Sequence, residues 1–144
     1  MVFDIEKFRN VKTKPRIKEI EIESLKFFFK ENEKPIFKVR NLTGHEVADC
    51  NESVQKNKAI TKLIEGLMSE NASKKAQAVC DSMGLNEKTP DDLVRRISML
   101  KFGTVDPEFN NEDSVRLAAM FPTQFYMLTN EITQLTGLGS EVGK

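Results

Sequence analysis

Few residues in this chain have side chains suited to catalysis, and each has a simpler structural explanation. The single histidine, His45, lies in the first turn of a predicted helix. Hydrolases and transferases need a nucleophile with its base, paired carboxylates or a set of metal ligands, and one histidine leaves few of these combinations open. We therefore interpret His45 as a neutral or capping residue rather than as a general base.

A carboxylate pair and two cysteines are the next candidates. Asp91 and Asp92 are adjacent on a predicted helix, where neighbouring side chains point in different directions and carboxylates favour the positive end of the helix dipole. Cys50 and Cys80 are too few and too widely spaced for a zinc cluster, and we expect buried thiols in a reducing cytoplasm. No glycine-rich phosphate-binding pattern occurs. The sequence thus predicts no enzyme and no catalytic, cofactor-binding or metal-binding residue.

Clustered basic side chains raise the question of nucleic-acid binding. Lys56, Lys58 and Lys62 lie on the first long helix, and Arg95 and Arg96 are adjacent on a later one. The chain has 22 basic and 22 acidic residues, so no net field attracts nucleic acid or an anionic membrane. No aromatic residues alternate with the basic ones, which favours a solvated face. A helical regulator that binds nucleic acid through the two arginines stays as an alternative.

The first forty residues contain short apolar runs of the kind that form short strands. Isoleucines stand among charged residues at positions 17–22, and apolar runs follow at 25–29 and 36–39. The polar segment 30–35 ends in a proline and predicts a hairpin between the last two runs. An extended arm is the alternative.

Helical periodicity begins after residue 42. Thr43 and Glu46 have the spacing of a capping box, which marks the start of a long helix. A shorter helix is predicted at 73–83, with Gly84 as its left-handed stop. We expect the two helices to be antiparallel neighbours.

A third helix has the clearest start signal in the chain. Thr89 is a suitable N-cap residue, Pro90 suits the first helical position, and the two aspartates follow in the first turn. The helix is predicted to stop near Gly103, and residues 105–111 read as a loop. The side chains that it is predicted to bury are Leu93, Val94, Ile97 and Leu100.

The last helical stretch contains Pro122, which either kinks the helix or starts a new one. The apolar stripe of this stretch consists of Phe125, Leu128, Ile132 and Leu135. Residues 137–144 carry three glycines and no periodicity, so we expect a mobile tail.

These elements predict a mainly α protein with a C-terminal helical bundle and a small N-terminal β-hairpin or strand region. The predicted division is a strand or arm region at 1–42, a helical domain at 43–136 and a flexible tail at 137–144. No apolar run approaches the roughly 20 residues that span a bilayer, so no membrane contact is expected.

Two aromatic tracts exceed what a small core needs. In a strand, three consecutive phenylalanines at 27–29 place Phe28 on the face opposite its neighbours. Either such a strand is covered on both faces, or one aromatic face is left for a partner. The tract 120–128 carries more apolar side chains than one helix face buries, which leaves Tyr126 and Met127 as candidates for an interaction surface. The candidate partner-binding residues are Phe28, Phe121, Phe125, Tyr126 and Met127.

Charge is distributed unevenly along the neutral chain. Residues 1–40 carry 11 basic and 7 acidic residues, whereas residues 104–144 carry 2 and 6. Ends of opposite charge can attract one another between copies, and chance variation on a solvated surface is the alternative. We take the asymmetry as a hint of self-association.

Three segments together carry a family resemblance. They are Phe-Lys-Val-Arg-Asn-Leu-Thr-Gly at 37–44, Pro-Asp-Asp-Leu-Val-Arg-Arg at 90–96, and Phe-Pro-Thr-Gln-Phe-Tyr-Met-Leu-Thr-Asn-Glu-Ile at 121–132. With the helices between them, they resemble the tail assembly chaperones of long-tailed bacteriophages. The resemblance covers roughly residues 36–144 and includes no catalytic signature.

The resemblance implies a protein that coats the tape measure protein during phage assembly, keeps its apolar helices in solution and recruits major tail (tube) protein. Such a chaperone acts in the host cell cytoplasm and is absent from the mature virion. The resemblance also implies that a ribosomal frameshift near the end of the gene can give a longer product. A structural subunit or adaptor that stays in the phage tail is the alternative within the same biology.

Overall fold

A computed structural model gives the structure of this protein and describes residues 2–66 and 90–143, the side chains of residues 56–66 excepted. Helices make up the majority, with small sheets beside them. In chain order the elements are α1 (Ile5–Asn10), β1 (Thr13–Lys14), β2 (Ile17–Glu21), a 3₁₀ helix (Glu23–Phe28), β3 (Ile36–Arg40), α2 (Gly44–Gly66), α3 (Asp91–Gly103), β4 (Thr104–Asp106), α4 (Asn111–Met120), α5 (Pro122–Leu138) and β5 (Glu141–Val142).

Strand β3 is the centre of a three-stranded antiparallel sheet, with β2 and β4 on its two sides. Its side chains alternate, so that Phe37 and Val39 are buried while Lys38 is only partly covered. Ile20 of β2 lies opposite Phe37 in the register. One face of the sheet therefore packs against helices, as in an ordinary half-buried sheet.

The predicted strand at residues 25–29 is wrong, because this segment is mostly a 3₁₀ helix. The hairpin exists, but its first strand is β2 rather than residues 25–29. A 3₁₀ turn buries Leu25 and leaves Phe27 and Phe28 exposed. The amide of Ile22 donates to the carbonyl of Pro35 at 2.8 Å and closes the loop that contains the 3₁₀ helix.

Capping boxes fix the beginnings of two helices. The Thr43 amide donates to Glu46 Oε1 at 3.0 Å and the Glu46 amide donates to Thr43 Oγ1 at 3.2 Å, which confirms the predicted capping box of α2. Asn110 and Asp113 form a second box at the start of α4. Pro122 begins a new helix rather than kinking the old one.

Two predicted boundaries shift. Pro90 occupies the N-cap position of α3 instead of the predicted first helical position, and the helix begins one residue later, at Asp91. The predicted loop at 105–111 begins with the last two residues of strand β4, because Thr104 and Asp106 pair with β3. A strand of three residues is too short to leave a periodic pattern in the sequence.

The C-terminal segment forms structure that was not predicted. Helix α5 continues to Leu138, and Gly139 ends it with a φ of 76°, which glycine adopts without strain. Strand β5 then pairs with β1, so that Thr13 lies opposite Val142. Residues 141–142 thus gain backbone pairing with a segment more than a hundred positions away, and the mobility expected of the tail at 137–144 stays a prediction.

One hydrophobic core joins the strands to the helices. The predicted stripe of α5 is confirmed, since Phe125, Leu128, Ile132 and Leu135 are all buried. They cluster with Phe37 and Val39 from the sheet. The core thus takes residues from both sides of the predicted boundary between 42 and 43.

Some predictions concern residues outside those described. These are the helix at 73–83 with Gly84, the thiol Cys80, the N-cap Thr89 and the side chains of Lys56, Lys58 and Lys62. Among the residues described, no helix is long and apolar enough to cross a membrane.

Candidate protein-binding site

An open apolar groove of about 490 Å³ lies between the 3₁₀ helix, strand β3, helix α4 and Phe121 at the break before α5. This volume falls within the range of roughly 300–1,000 Å³ that is typical of binding pockets. We call it the aromatic groove, because phenylalanine rings form much of its wall. Those rings belong to Phe28, Phe29, Phe37, Phe109 and Phe121.

Phe28 is the most accessible ring of the groove. It ends the 3₁₀ helix and its side chain is 62% exposed. Its edge meets the ring of Phe121, with centroids 5.9 Å apart and planes at 83°. The neighbouring Phe27 is exposed as well and contacts Phe28 in the same manner. Two adjacent exposed rings leave a large apolar area in water, which is a feature of interaction surfaces.

Phe121 is held at the break between α4 and α5. Its amide donates to the carbonyl of Leu117 at 2.8 Å, and its own carbonyl accepts from the amide of Phe125 at 2.9 Å. Both helices therefore anchor this residue, although its φ of −135° lies outside helical geometry. Pro122 has no amide hydrogen to lose and is tolerated as the first residue of α5.

The floor of the groove is a row of rings that pack edge to face. The Phe37 ring lies between those of Phe29 and Phe109, at centroid distances of 5.7 and 5.8 Å. Phe109 is held in place because its amide donates to Thr104 Oγ1 at 3.0 Å, and Thr104 Oγ1 donates to the carbonyl of Leu100 at 3.0 Å. These contacts make the floor rigid, and a rigid apolar floor lowers the entropic cost of binding.

Charged residues surround the apolar floor. Three carboxylates line the groove, those of Glu33, Asp106 and Asp113, together with the cations of Lys30 and Arg116. A groove with an apolar floor and a polar rim has the usual composition of a protein-binding surface.

The predicted partner-binding residues fall into three different places. Phe28 and Phe121 lie together in the aromatic groove. Phe125 is completely buried in the core, so its surface is unavailable to a partner. Tyr126 and Met127 are exposed, but they line a separate shallow depression on α5.

The shallow depression is held by polar contacts rather than by apolar packing. The guanidinium of Arg96 lies 5.0 Å from the centre of the Tyr126 ring. Arg96 also donates to Thr129 Oγ1 at 2.7 Å, to Asn130 Oδ1 at 2.8 Å and to Asp92 Oδ2 at 2.8 Å. Arg96 is thus a structural residue that joins α3 to α5.

The other arginine of the pair is engaged as well. Arg95 Nε donates to Asn51 Oδ1 at 2.8 Å and so joins α3 to α2. His45 lies beside Asp49, with Nε2 3.5 Å from Oδ2, on an exposed part of α2.

Burial and hydrogen bonding displace the pKa values of Cys50 and Glu46 from their ordinary values. Burial, followed by the nearby carboxylates of Glu46 and Asp49, raises the pKa of the Cys50 thiol to about 11. The predicted buried thiol at Cys50 is confirmed, and a thiol with this pKa is a poor nucleophile at neutral pH. The hydrogen bonds from Arg40 lower the pKa of Glu46 to about 2, and they tie the end of β3 to the start of α2.

Sequence reasoning missed part of the groove. Phe109, Leu117 and Met120 line it, although nothing in their spacing associates them with Phe28. Tertiary folding brings them together.

Among the residues that the structure describes, no group of histidine, cysteine or carboxylate side chains could hold a metal ion. No protein-family model, curated protein or solved structure matches this chain.

Proposed function

We propose that this chain is a non-enzymatic binding protein that takes apolar side chains of a partner protein into the aromatic groove. The observation that carries the proposal is the exposure of Phe28 beside a row of fixed rings, within a charged rim. An amphipathic helix fits such a groove, because its apolar face meets the rings while its polar face stays in water. No cofactor or nucleotide takes part.

The family resemblance suggests the partner. A tail assembly chaperone binds the tape measure protein, whose long helices are apolar, and recruits major tail (tube) protein. We propose the same two partners here, with action in the host cell cytoplasm and absence from the mature virion. Reversible burial of partner surface is the whole mechanism.

We further propose that the helical part of the chain is a C-terminal helical bundle to which the N-terminal hairpin is attached. Contacts of α2 with α3, of α3 with α4, and of α5 with both α3 and α4 support this arrangement. Phe28 and Phe121 then lie where the hairpin meets the bundle.

Co-expression with the tape measure protein tests the proposed site. Phe28→Asp places a charge on an exposed position of the groove and should abolish co-purification, whereas Met127→Asp makes the same change in the separate depression and should not. Circular dichroism of both variants checks that they fold. Loss of binding in Met127→Asp with retention in Phe28→Asp would place the partner in the depression and contradict the proposal.

A different measurement separates the chaperone from a structural subunit or adaptor of the tail. Mass spectrometry of purified virions should not find the chain in quantity, because a chaperone leaves the particle.

Nucleic-acid binding is disfavoured by the contacts of Arg95 and Arg96, which form hydrogen bonds within the fold. A complex with duplex DNA at low salt, where nonspecific binding is strongest, would support the nucleic-acid-binding alternative.

A further inference from the structure

The rings of the aromatic groove form two separate rows. In the entrance row, Phe28 meets Phe121 edge to face, with centroids 5.9 Å apart. In the floor row, Phe37 meets Phe29 and Phe109 in the same manner, at 5.7 and 5.8 Å. Among the rings that the structure describes, no contact joins one row to the other. Five rings therefore line one groove, and the two rows do not close on each other.

The other apolar walls of the groove come from residues without aromatic rings, which are Leu25, Pro107, Leu117 and Met120. Leu25 and Leu117 are buried in the core, whereas Met120 is 57% exposed. A methionine side chain is flexible, and its sulfur makes favourable contacts with aromatic rings. Met120 can therefore move aside for a ring that enters the groove and then pack against it.

The free charges at the groove balance one another. Two cations line it, on Lys30 and Arg116, and neither forms an ion pair within the described part of the chain. The same holds for two carboxylates, on Glu33 and Asp106. The third carboxylate, on Asp113, is occupied in the capping box of α4. A charged side chain would lose hydration between the apolar walls without meeting an excess of opposite charge, so a neutral side chain is favoured.

We propose that the partner is anchored in the aromatic groove by an aromatic side chain, whose ring enters between the two rows and packs edge to face against both. This inference rests on the proposed function, because it names the side chain by which the partner is held. Rings with centroids roughly 4.5–7 Å apart attract one another beyond what area burial supplies, since the positive edge of one meets the negative face of the other. An aliphatic anchor lacks this attraction.

Two helical peptides that differ in a single side chain test the anchor. Both consist of alanine, lysine and glutamate with an apolar stripe on one face, and the central apolar residue is phenylalanine in one and cyclohexylalanine in the other. The cyclohexyl group has a similar shape but no aromatic electrons, and its larger apolar surface favours it if burial alone decides. The full chain should bind the phenylalanine peptide about two- to tenfold more tightly in fluorescence anisotropy.

Two substitutions locate this preference in the groove. Phe28→Leu removes a ring of the entrance row and should reduce the preference for the phenylalanine peptide. Phe8→Leu is the matched control, because it makes the same change at a ring outside the groove, and it should leave the preference unchanged. Both rings are 62% exposed, so neither change removes core packing, and circular dichroism checks that both variants fold.

The outcomes separate this inference from the function on which it rests. Equal binding of the two peptides, or tighter binding of the cyclohexylalanine peptide, would overturn the aromatic anchor and leave the groove as a binding site. A preference that Phe28→Leu does not reduce would overturn the anchor as well. Binding of neither peptide would contradict the proposed function itself, and the anchor with it.

Discussion

At the scale of single residues, Glu46 does more than cap a helix. Its carboxylate accepts from Arg40 Nη1 at 2.8 Å and from Arg40 Nη2 at 2.6 Å, and its Oε1 also accepts from the Thr43 amide. The two charged side chains are mostly covered, with 24% and 16% of their surface exposed. A two-pronged arginine contact of this kind is among the stronger ion pairs.

Glu46→Gln should reduce both stability and its dependence on pH. The hydrogen bonds from Arg40 hold the folded pKa of Glu46 near 2, below its ordinary value of 4.5. The contribution is therefore complete above pH 4.5 and is lost as the pH falls from 4.5 towards 2. At neutral pH the variant should lose about 1–2 kcal/mol, allowing for solvent screening. Urea unfolding from pH 7 to 2 measures this.

The same unfolding series has an internal control. Glu52→Gln changes an exposed carboxylate of the same helix and should follow the wild type at each pH. Wild type and Glu46→Gln should converge near pH 2. A constant difference between them down to pH 2 would show that the Arg40 contact does not lower the pKa of Glu46.

Gly103 is a second residue with a specific role, because α3 approaches α5 closely there. A Cβ at this position would lie 2.5 Å from Ile132 Cδ1, and Ile132 is fully buried. Gly103→Ala should therefore destabilise the protein by about 1–3 kcal/mol through overpacking. Gly137→Ala is the matched control, since a Cβ there meets nothing within 4 Å. It should leave stability unchanged or raise it by about 0.5–1 kcal/mol.

A double mutant tests whether the added methyl group at residue 103 clashes with Ile132. Ile132→Val removes Cδ1, the atom closest to the added methyl group, and by itself costs about 0.5–1.5 kcal/mol. Combined with Gly103→Ala it should cost less than the sum of the two single changes. Additive losses in thermal unfolding would show that the contact with Ile132 Cδ1 is not the cause.

At the scale of elements, the ends of the chain are joined by small contacts. Strands β1 and β5 have two residues each, all exposed. Around them, Lys14 lies 3.9 Å from Glu141 and Lys18 lies 2.7 Å from Glu131. The basic N-terminal and acidic C-terminal regions thus meet within one molecule. Charge asymmetry alone is therefore weaker support for attraction between copies, and the predicted self-association stays a prediction.

Removal of the chain from Ser140 onward should have a small effect on stability and a local effect on order. The deleted residues bury little, so the melting temperature should fall by only a few degrees. Amide exchange should accelerate at Thr13 and Lys14, because they lose their pairing strand, while the exchange of α5 stays slow. Global unfolding of the truncated chain would show instead that the β1–β5 contact supports the core.

At the scale of the whole molecule, one core makes strands and helices interdependent. Val39 of β3 is completely buried and clusters with Leu128 and Ile132 of α5. We therefore expect a single cooperative transition dominated by the helical signal. Val39→Ala should destabilise the helices by about 2–3 kcal/mol although it lies in a strand. Far-UV circular dichroism checks this, and two separate transitions would contradict it.

The sequence by itself determined the features that depend on neighbours along the chain. The capping box of Thr43 and Glu46, the stop at Gly103 and the buried stripe from Phe125 to Leu135 all appear where they were predicted. Each rests on spacings of three or four residues, and a helix satisfies its backbone hydrogen bonds within itself. The helical majority followed for the same reason.

Tertiary structure decided the features that depend on distant partners. Residues 25–29 looked like a strand, but β2 takes that place beside β3, and β5 finds β1 across nearly the whole chain. The aromatic groove arises in the same way, since Phe28, Phe109 and Phe121 come from separate elements. Strand pairing and groove formation need partners whose sequence separation carries no periodic signal. The sequence therefore marked Phe28 and Phe121 as candidates, and only the fold placed them side by side.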